Sequence, residues 1–312
     1  MINFVQKRQL FFTIAGVLVL LSAVALMVSF VMFGQFMRIS IDFTGGSLFV
    51  LQFEQAVDGD AIRDVFVAEG YSAPIVQQLG AQDSHQWQVR TSFPESADVT
   101  HLVLEALEAR VGPIDTNNST VDTMEPSVGA EVTRTAVLAV LAAATAVLLF
   151  IWFSFRRIPN PFRYGVVSIV AMSINVIVTL GFYALMGILG GWEVDALFLT
   201  ALLTVIGFSV EDVIVVFDRI RENIVRHYGE PFELVVNRSV LETLHRSLAT
   251  QLNAMFVMIA LLIFGGVTIK PFIAVMLVGM VSETFTSLCV AVPLLTWWEE
   301  RQMSRRPGAA LA

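Results

Sequence analysis

Cysteine and charge are both scarce in this chain of 312 residues. The single cysteine, Cys289, excludes an intrachain disulfide, and its apolar surroundings predict a small buried side chain. Charged residues make up only 15% of the sequence, whereas soluble domains average about 25%. Because 56% of the residues are hydrophobic and several apolar runs are long enough to cross a bilayer, the composition excludes a soluble globular protein and indicates a polytopic membrane protein.

The residue patterns of catalysis and cofactor binding are also missing. The histidines are scattered without metal-ligand spacing, and Gly45-Gly46 and Gly265-Gly266 are typical of turns rather than phosphate-binding loops. No nucleophile is accompanied by a matching base. We therefore expect no enzymatic activity, no metal and no cofactor. The basic residues fall mainly in connections between apolar runs, so we expect no nucleic-acid partner either.

Six apolar runs predict six transmembrane helices, because each reaches the roughly 18 residues that indicate a span. The first follows Lys7-Arg8 and is longer than the roughly 15 residues of a signal-peptide core, which indicates a retained helix. Arginines concentrate in alternate connections, so the positive-inside rule places both termini in the cytoplasm. The predicted spans are residues 10–33, 132–155, 164–189, 194–217, 247–268 and 271–298.

Residues 35–131 are polar and acidic, unlike the rest of the chain. Their hydrophobic patterns predict the order βαββαβ, which is that of a ferredoxin-like α+β domain. The charge rule places this domain on the extracytoplasmic side, between the first and second helices. The predicted strands are 47–53, 74–79, 86–91 and 119–124, and the predicted helices are 59–70 and 98–111.

The predicted domain lies between two other parts of the chain. Residues 1–34 form the cytoplasmic N-terminus and the first helix, and residues 132–312 follow the domain. The latter form the other five helices and a cytoplasmic C-terminus. Within them, 218–245 is too polar to span and has two amphipathic stretches, separated at Gly229-Glu230-Pro231. We expect this segment to be a cytoplasmic hairpin on the membrane surface or docked on a neighbouring element.

Two adjacent carboxylates, Glu211 and Asp212, interrupt the fourth apolar run. A carboxylate within a membrane helix costs at least about 2.5–3.5 kcal/mol, so a functional role is the first hypothesis. Helical geometry rotates Glu211 by about 100° from Asp212, so the two cannot face one partner equally. Gly207 and Ser209 nearby allow another helix to approach closely.

In the fifth run, Arg246, Thr250 and Asn253 fall on one helical stripe. Arg246 is the expected partner of Asp212, because pairing would keep that carboxylate ionised. A carboxylate that alternates between pairing and separation can take up and release a proton. A snorkelling Arg246 beside an interfacial Asp212 without a transport role remains an alternative.

Glu283 lies near the middle of the sixth run, where a carboxylate should face protein or water rather than lipid. Asn175, in the third run, is predicted to line the same interior. A protonated, hydrogen-bonded structural glutamate is the alternative at position 283.

Five short segments, in the same order along the chain, resemble motifs of the SecD/SecF family of Sec translocon accessory subunits, in the form found in its SecF members. The resemblance extends from the first predicted span to the sixth. The segments are Ile41-Asp42-Phe43-Thr44-Gly45-Gly46, Glu125-Pro126-Ser127-Val128-Gly129, residues 207–223, Thr243-Leu244-His245-Arg246-Ser247-Leu248, and Phe264-Gly265-Gly266.

The resemblance implies a heteromeric complex with SecD, of the resistance-nodulation-division transporter class, in the bacterial cytoplasmic membrane. It implies use of the proton motive force to help draw unfolded secreted polypeptide out of the SecYEG channel, with YajC as a further partner and lipid around the helices. By motif position, Asp212 would be the proton-relay carboxylate and Arg246 the relay arginine. A second carboxylate would come from SecD.

The chain departs from the family pattern at three polar positions. Glu211 stands where an asparagine is usual, Asn175 where an aspartate is common, and Glu283 in a glycine-rich part of the last span. A carboxylate lost from one helix and gained on others predicts a rearranged polar cluster. The candidate auxiliary positions are Glu211, Glu283, Asn175, Asn253, Thr250 and Ser209.

Two other functions remain open on the sequence alone. A passive scaffold would stabilise the translocon without carrying protons. An exporter of small molecules or lipids would belong to the same transporter class, but the single small external domain leaves little room for a substrate-binding site.

Overall fold

The computed structural model describes residues 5–71, 74–79, 85–94, 97–156, 161–266 and 269–303. Residues 1–4 of the predicted cytoplasmic N-terminus and residues 304–312 of the predicted C-terminus lie outside the described residues. The helices are α1 (Arg8–Phe33), α2 (Ile41–Thr44), α3 (Gly59–Ala68), α4 (Ala97–Arg110), α5 (Pro126–Phe155), α6 (Pro161–Gly190), α7 (Ala196–Arg226), α8 (Phe232–Phe264), α9 (Lys270–Phe285) and α10 (Val292–Met303). The strands are β1 (Gly46–Gln52), β2 (Ile75–Leu79), β3 (Gln86–Thr91) and β4 (Thr120–Met124).

Six helices in the described part of the chain are long and apolar enough to cross a membrane. They are α1, α5, α6, α7, α8 and a last helix, Lys270–Arg301, in which a π-helical segment (Thr286–Ala291) joins α9 to α10. The prediction of a polytopic helical membrane protein is confirmed.

The chain divides into two compact units. The helical unit comprises Met1–Phe36, Val140–Leu185 and Leu197–Ala312, and the α/β unit comprises Met37–Ala139 and Met186–Ala196. The α/β unit thus includes the connection between α6 and α7, which the sequence did not associate with the domain.

The α/β unit contains one antiparallel sheet in the order β2-β3-β1-β4. Its elements follow the predicted chain order, and their bounds lie close to the predicted ones. Central strand β1 alternates, so that Phe49 and Leu51 point into a core closed by Phe66 of α3 and Leu107 of α4, all fully buried. Phe49 and Phe66 meet edge to face, with ring centroids 4.9 Å apart.

In the helical unit, α7 contributes Val213, Val216 and Phe217 to a buried apolar cluster. Helix α9 approaches α7 closely at Gly279, where a Cβ atom would stand 2.4 Å from Cγ2 of Val205. A small residue is needed at such a crossing. This contact sets the position of Glu283, which lies one turn further along α9.

The predicted amphipathic segment 218–245 does not form a separate hairpin of its own helices. Instead, α7 continues to Arg226 and α8 begins at Phe232, with the break at Gly229, whose φ is 94°. The apolar sides of the two extensions pack together through Ile220 and Val240, and Asn223 Nδ2 donates to Ser239 Oγ at 3.0 Å. Continuing each helix keeps its backbone hydrogen-bonded without a further pair of helix ends.

Cys289 lies in the π-helical segment and is half-buried against the apolar cluster around α7. It is thus less enclosed than the buried side chain that its apolar run predicted.

Candidate functional site

Three buried polar side chains from three helices meet inside the helical unit. The side-chain amide of Gln251 in α8 donates to Asp212 of α7 and to Glu283 of α9, with N–O distances of 3.0 and 2.6 Å. The exposed fractions are 8% for Asp212, 9% for Gln251 and 1% for Glu283. One amide nitrogen therefore bridges two carboxyl groups in a site closed off by protein.

Helical rotation places Asp212 in this site and its neighbour outside it. Asp212 shares the buried side of α7 with Val205, Ser209 and Val216, whereas Glu211 is exposed. The two adjacent carboxylates therefore have different surroundings, as the helical geometry predicted. A charge on Glu211 would face the exterior of the chain, whereas a charge on Asp212 would have to be stabilised by the protein groups around it.

Glu283 stands next to an irregularity of the last span. It is near the end of α9, and the π-helical segment Thr286–Ala291 follows directly. Thr286 Oγ1 donates to the backbone oxygen of Glu283 at 3.1 Å. Single π turns inside α-helices occur frequently at functional sites.

A second buried polar contact lies one turn away on α7. Asn175 of α6, fully buried, donates through Nδ2 to Ser209 Oγ at 2.5 Å, and Ser209 in turn donates to the backbone oxygen of Val205 at 2.8 Å. Asn175 therefore lines the same face of α7 as Asp212, while hydrogen bonding to the serine rather than to a carboxylate.

The expected pair of Asp212 with Arg246 is not formed, since no ion pair joins them among the described residues. Arg246 is exposed and borders an open, charged cavity of about 540 Å³. It precedes Gln251 by about 1.4 helical turns, which rotates it by roughly 140° from the side of α8 that faces Asp212. Thr250 and Asn253, predicted on the same stripe, are exposed as well.

Gln251 is the residue that the sequence reasoning missed. A stripe of buried polar residues at four-residue spacing on α8 runs beside the predicted stripe: Ser239, Thr243, Ser247 and Gln251. The four-residue spacing is visible in the sequence, but the prediction chose the neighbouring face of α8 because Arg246 lies on it. Because apolar residues surround both stripes, hydrophobic periodicity did not separate them.

Some polar atoms of the site have no hydrogen-bond partner within the described part of the chain. These atoms are Oε1 of Glu283, Oε1 of Gln251 and the hydroxyl oxygen of Ser247. Buried polar groups are normally satisfied, so the unused oxygens of Glu283 and Gln251 are unusual for ordinary helix packing.

The fold and the site define a class of protein: a multi-pass membrane protein with ionisable side chains enclosed among its helices. Residues 103–301 match the family model described as protein export membrane protein SecD/SecF, C-terminal, and residues 40–57 match the SecD/SecF GG motif. The chain belongs to the SecD/SecF family, as its motifs predicted.

Curated relatives resemble the chain over almost its whole length. The protein translocase subunit SecF of Thermobaculum terrenum is 38% identical, with 98% of this chain and 96% of the relative covered. The subunit of the same name from Anaerolinea thermophila is also 38% identical, covering 96% of this chain and 94% of the relative. These names describe a transport role.

A solved structure resembles the chain as part of a larger protein. The crystal structure of SecDF, a translocon-associated membrane protein from Thermus thermophilus, matches with a TM-score of 0.77 and 28% identity. The match covers 96% of this chain and 39% of the SecDF chain, so this chain spans well under half of it. The name SecDF combines those of SecD and SecF, and this chain matches part of that single SecDF chain.

Proposed function

We propose that this chain is a proton-coupled subunit of the protein translocase, in which proton movement through the helical unit assists polypeptide export. The family and the relatives' names support the translocase role. The observation that carries the proton coupling is the single amide of Gln251 bridging the buried carboxyl groups of Asp212 and Glu283.

Two carboxylates held by one amide cannot both be charged without a large penalty. Like charges at such short separation repel, and each buried charge also loses its hydration. Among the described residues, no arginine, lysine or histidine forms an ion pair with Asp212 or Glu283. One proton held by the pair removes most of the penalty, so the pair is suited to bind and release a proton.

Gln251 can accompany this change of protonation. Its NH₂ group donates to a carboxylate, and its carbonyl oxygen, Oε1, can accept from a protonated carboxyl group. Proton transfer then changes the hydrogen bonds through which Gln251 of α8 connects α7 and α9. Moving one charge through 100 mV supplies about 2.3 kcal/mol, which shifts a two-state equilibrium about 50-fold.

The exposed side of α8 is the proposed site of contact with SecD. Arg246, Thr250 and Asn253 form a polar stripe at this surface, which would be unfavourable against lipid. In this proposal, Asp212 and Arg246 are the relay pair. Arg246 pairs with the Asp212 carboxylate in another conformation of the complex. The second carboxylate of the relay comes from SecD. Asn175 is auxiliary, whereas Glu211, which is exposed, takes no part in the proton transfer.

The cellular setting of the proposal follows the family. The chain would lie in the bacterial inner membrane with both termini cytoplasmic, acting with SecD and YajC at the SecYEG channel on unfolded polypeptide. The α/β unit would be extracytoplasmic and ferredoxin-like; its βαββαβ order and the sheet order β2-β3-β1-β4 support that topology.

The test is polypeptide export into inverted membrane vesicles, with and without a proton motive force. We expect Asp212→Asn to abolish the stimulation by the proton motive force and Glu283→Gln to reduce it. Glu211→Gln is the matched control, since it removes the adjacent but exposed carboxylate, and it should export like the parent. Full stimulation in Asp212→Asn would instead favour a passive scaffold.

A further inference from the structure

The connection between α6 and α7 is fastened to the α/β unit by backbone hydrogen bonds. The amide of Val194 donates to the carbonyl oxygen of Arg38 at 2.7 Å, and the amide of Ser40 donates to the carbonyl oxygen of Val194 at 2.8 Å. Ile39 and Val194 form an isolated parallel bridge. The connection therefore has a fixed register against the segment that follows α1.

A buried ionic cluster reinforces this attachment. Glu193 accepts from Arg38 at 3.1 Å, from Gln88 of β3 at 3.3 Å and from Arg90 of β3. Only 6% of the Glu193 side chain and 11% of the Arg38 side chain are exposed. Burial raises the pKa of Glu193, and the two neighbouring guanidinium groups oppose that shift. Charges enclosed this far are retained only where several partners hold them.

The same segment also binds the first residue of α7. Asp42 Oδ2 accepts from the backbone amide of Ala196 at 3.2 Å. A helix begins with amide groups that lack partners inside the helix, and a carboxylate there both accepts a hydrogen bond and complements the helix dipole. Asp42 belongs to the segment matched as the GG motif.

The glycines of that motif bring it against another helix. A Cβ atom on Gly45 would lie 2.6 Å from Cα of Pro126, at the start of α5, and one on Gly129 would lie 2.9 Å from the amide nitrogen of Gly45. Thr133 donates to the carbonyl oxygen of Phe43 at 3.1 Å. One short segment thus holds the beginnings of both α5 and α7.

We propose that residues 38–42 and Arg90, together with residues 193–196, form a coupling junction that transmits movement of α7 to the α/β unit. Helix α7 is continuous from Ala196 to Arg226 and carries Asp212 on the way. If α7 shifts after proton transfer, its first residue, Ala196, shifts with it. The junction binds Ala196 and therefore transmits the movement. This inference rests on the proposed proton coupling and assigns Glu193 and Asp42 as positioning residues.

The experiment replaces the ionic attachment by a reversible covalent one. Glu193→Ala is combined with Ile39→Cys and Val194→Cys in a Cys289→Ala background, so that the only thiols lie at the parallel bridge. Under reducing conditions, we expect Glu193→Ala to lose stimulation of export by the proton motive force at least about fivefold, the lower range of measured coupling between sites. Oxidation should restore most of that stimulation.

The outcomes separate this inference from the proposed function. Export without a proton motive force and association with SecD should remain at the parental level throughout. Equal stimulation in the oxidised, reduced and parental proteins, a defect that oxidation does not relieve, or failure of the two cysteines to cross-link would each overturn the junction. If Asp212→Asn also keeps full stimulation in the same vesicles, the proton coupling itself fails; if only Asp212→Asn is impaired, the junction alone is wrong.

Discussion

Removal of the bridging amide is the perturbation whose size follows most directly from the contacts. Gln251→Leu keeps a side chain of similar volume but deletes the donor that serves both Asp212 and Glu283. A hydrogen bond to a charged acceptor contributes about 1.5–3 kcal/mol, and one to a neutral acceptor about 1 kcal/mol. With one proton on the pair, we expect the free energy of unfolding to fall by about 2.5–4 kcal/mol.

The assay is denaturant unfolding of the purified chain in detergent, beside the vesicle export assay. Asn253→Leu is the matched control, since Asn253 lies on the same helix but is exposed, and it should unfold like the parent. Combining Gln251→Leu with Glu283→Gln should give a coupling energy of about 0.5–3 kcal/mol, as expected for side chains in contact. Equal unfolding free energies for the parent, Gln251→Leu and Asn253→Leu would refute the bridging role.

Three further perturbations test other contacts. Gly279→Ala should lower stability and export because its Cβ meets Val205 at 2.4 Å, and adding Val205→Ala should restore both; no rescue would contradict the close helix crossing. Asp42→Ala should remove about 1 kcal/mol of protection from the first turn of α7 in hydrogen exchange, whereas Asp42→Asn should keep most of it. Hydrogen bonds from Asn118 and a neighbouring backbone amide lower the pKa of Asp115, so this carboxylate stabilises the fold fully above the ordinary aspartate pKa and loses that effect as the pH falls through its lowered pKa. The parent should therefore be thermally more stable than Asp115→Ala at neutral pH, and the difference should shrink in acid. A difference that does not depend on pH would exclude this cause.

Hydrophobic periodicity predicted most of the secondary structure. From Ser47 to Gln52, strand β1 alternates between buried and half-buried side chains, and the membrane helices are long, mainly apolar runs, so both patterns can be recognised locally in the sequence. The end of α7 was harder to predict. Where a membrane helix continues as an amphipathic helix, the hydrophobic pattern of the sequence changes and indicates two separate helices. The structure shows one continuous helix from Ala196 to Arg226, with Ile220 buried in the apolar cluster.

The candidate site was predicted in part, for a related reason. The carboxylates at Asp212 and Glu283 were identifiable from their position in apolar runs, since charge there is costly. Gln251 was not, because a neutral amide in a membrane helix is unremarkable until its neighbours are known. Glu193 was also missed: it lies in a short connection, and its ionic partners come from two separated parts of the chain.

The proposed proton coupling requires above all that the pair of Asp212 and Glu283 holds a proton. Infrared difference spectroscopy on the purified complex tests it, because a protonated carboxyl group buried in protein has a carbonyl stretch separate from that of carboxylates. We predict such a band at neutral pH in the parent and in Glu211→Gln, and its loss in Asp212→Asn/Glu283→Gln. A parent without the band, or a double variant that retains it unchanged, would contradict the account.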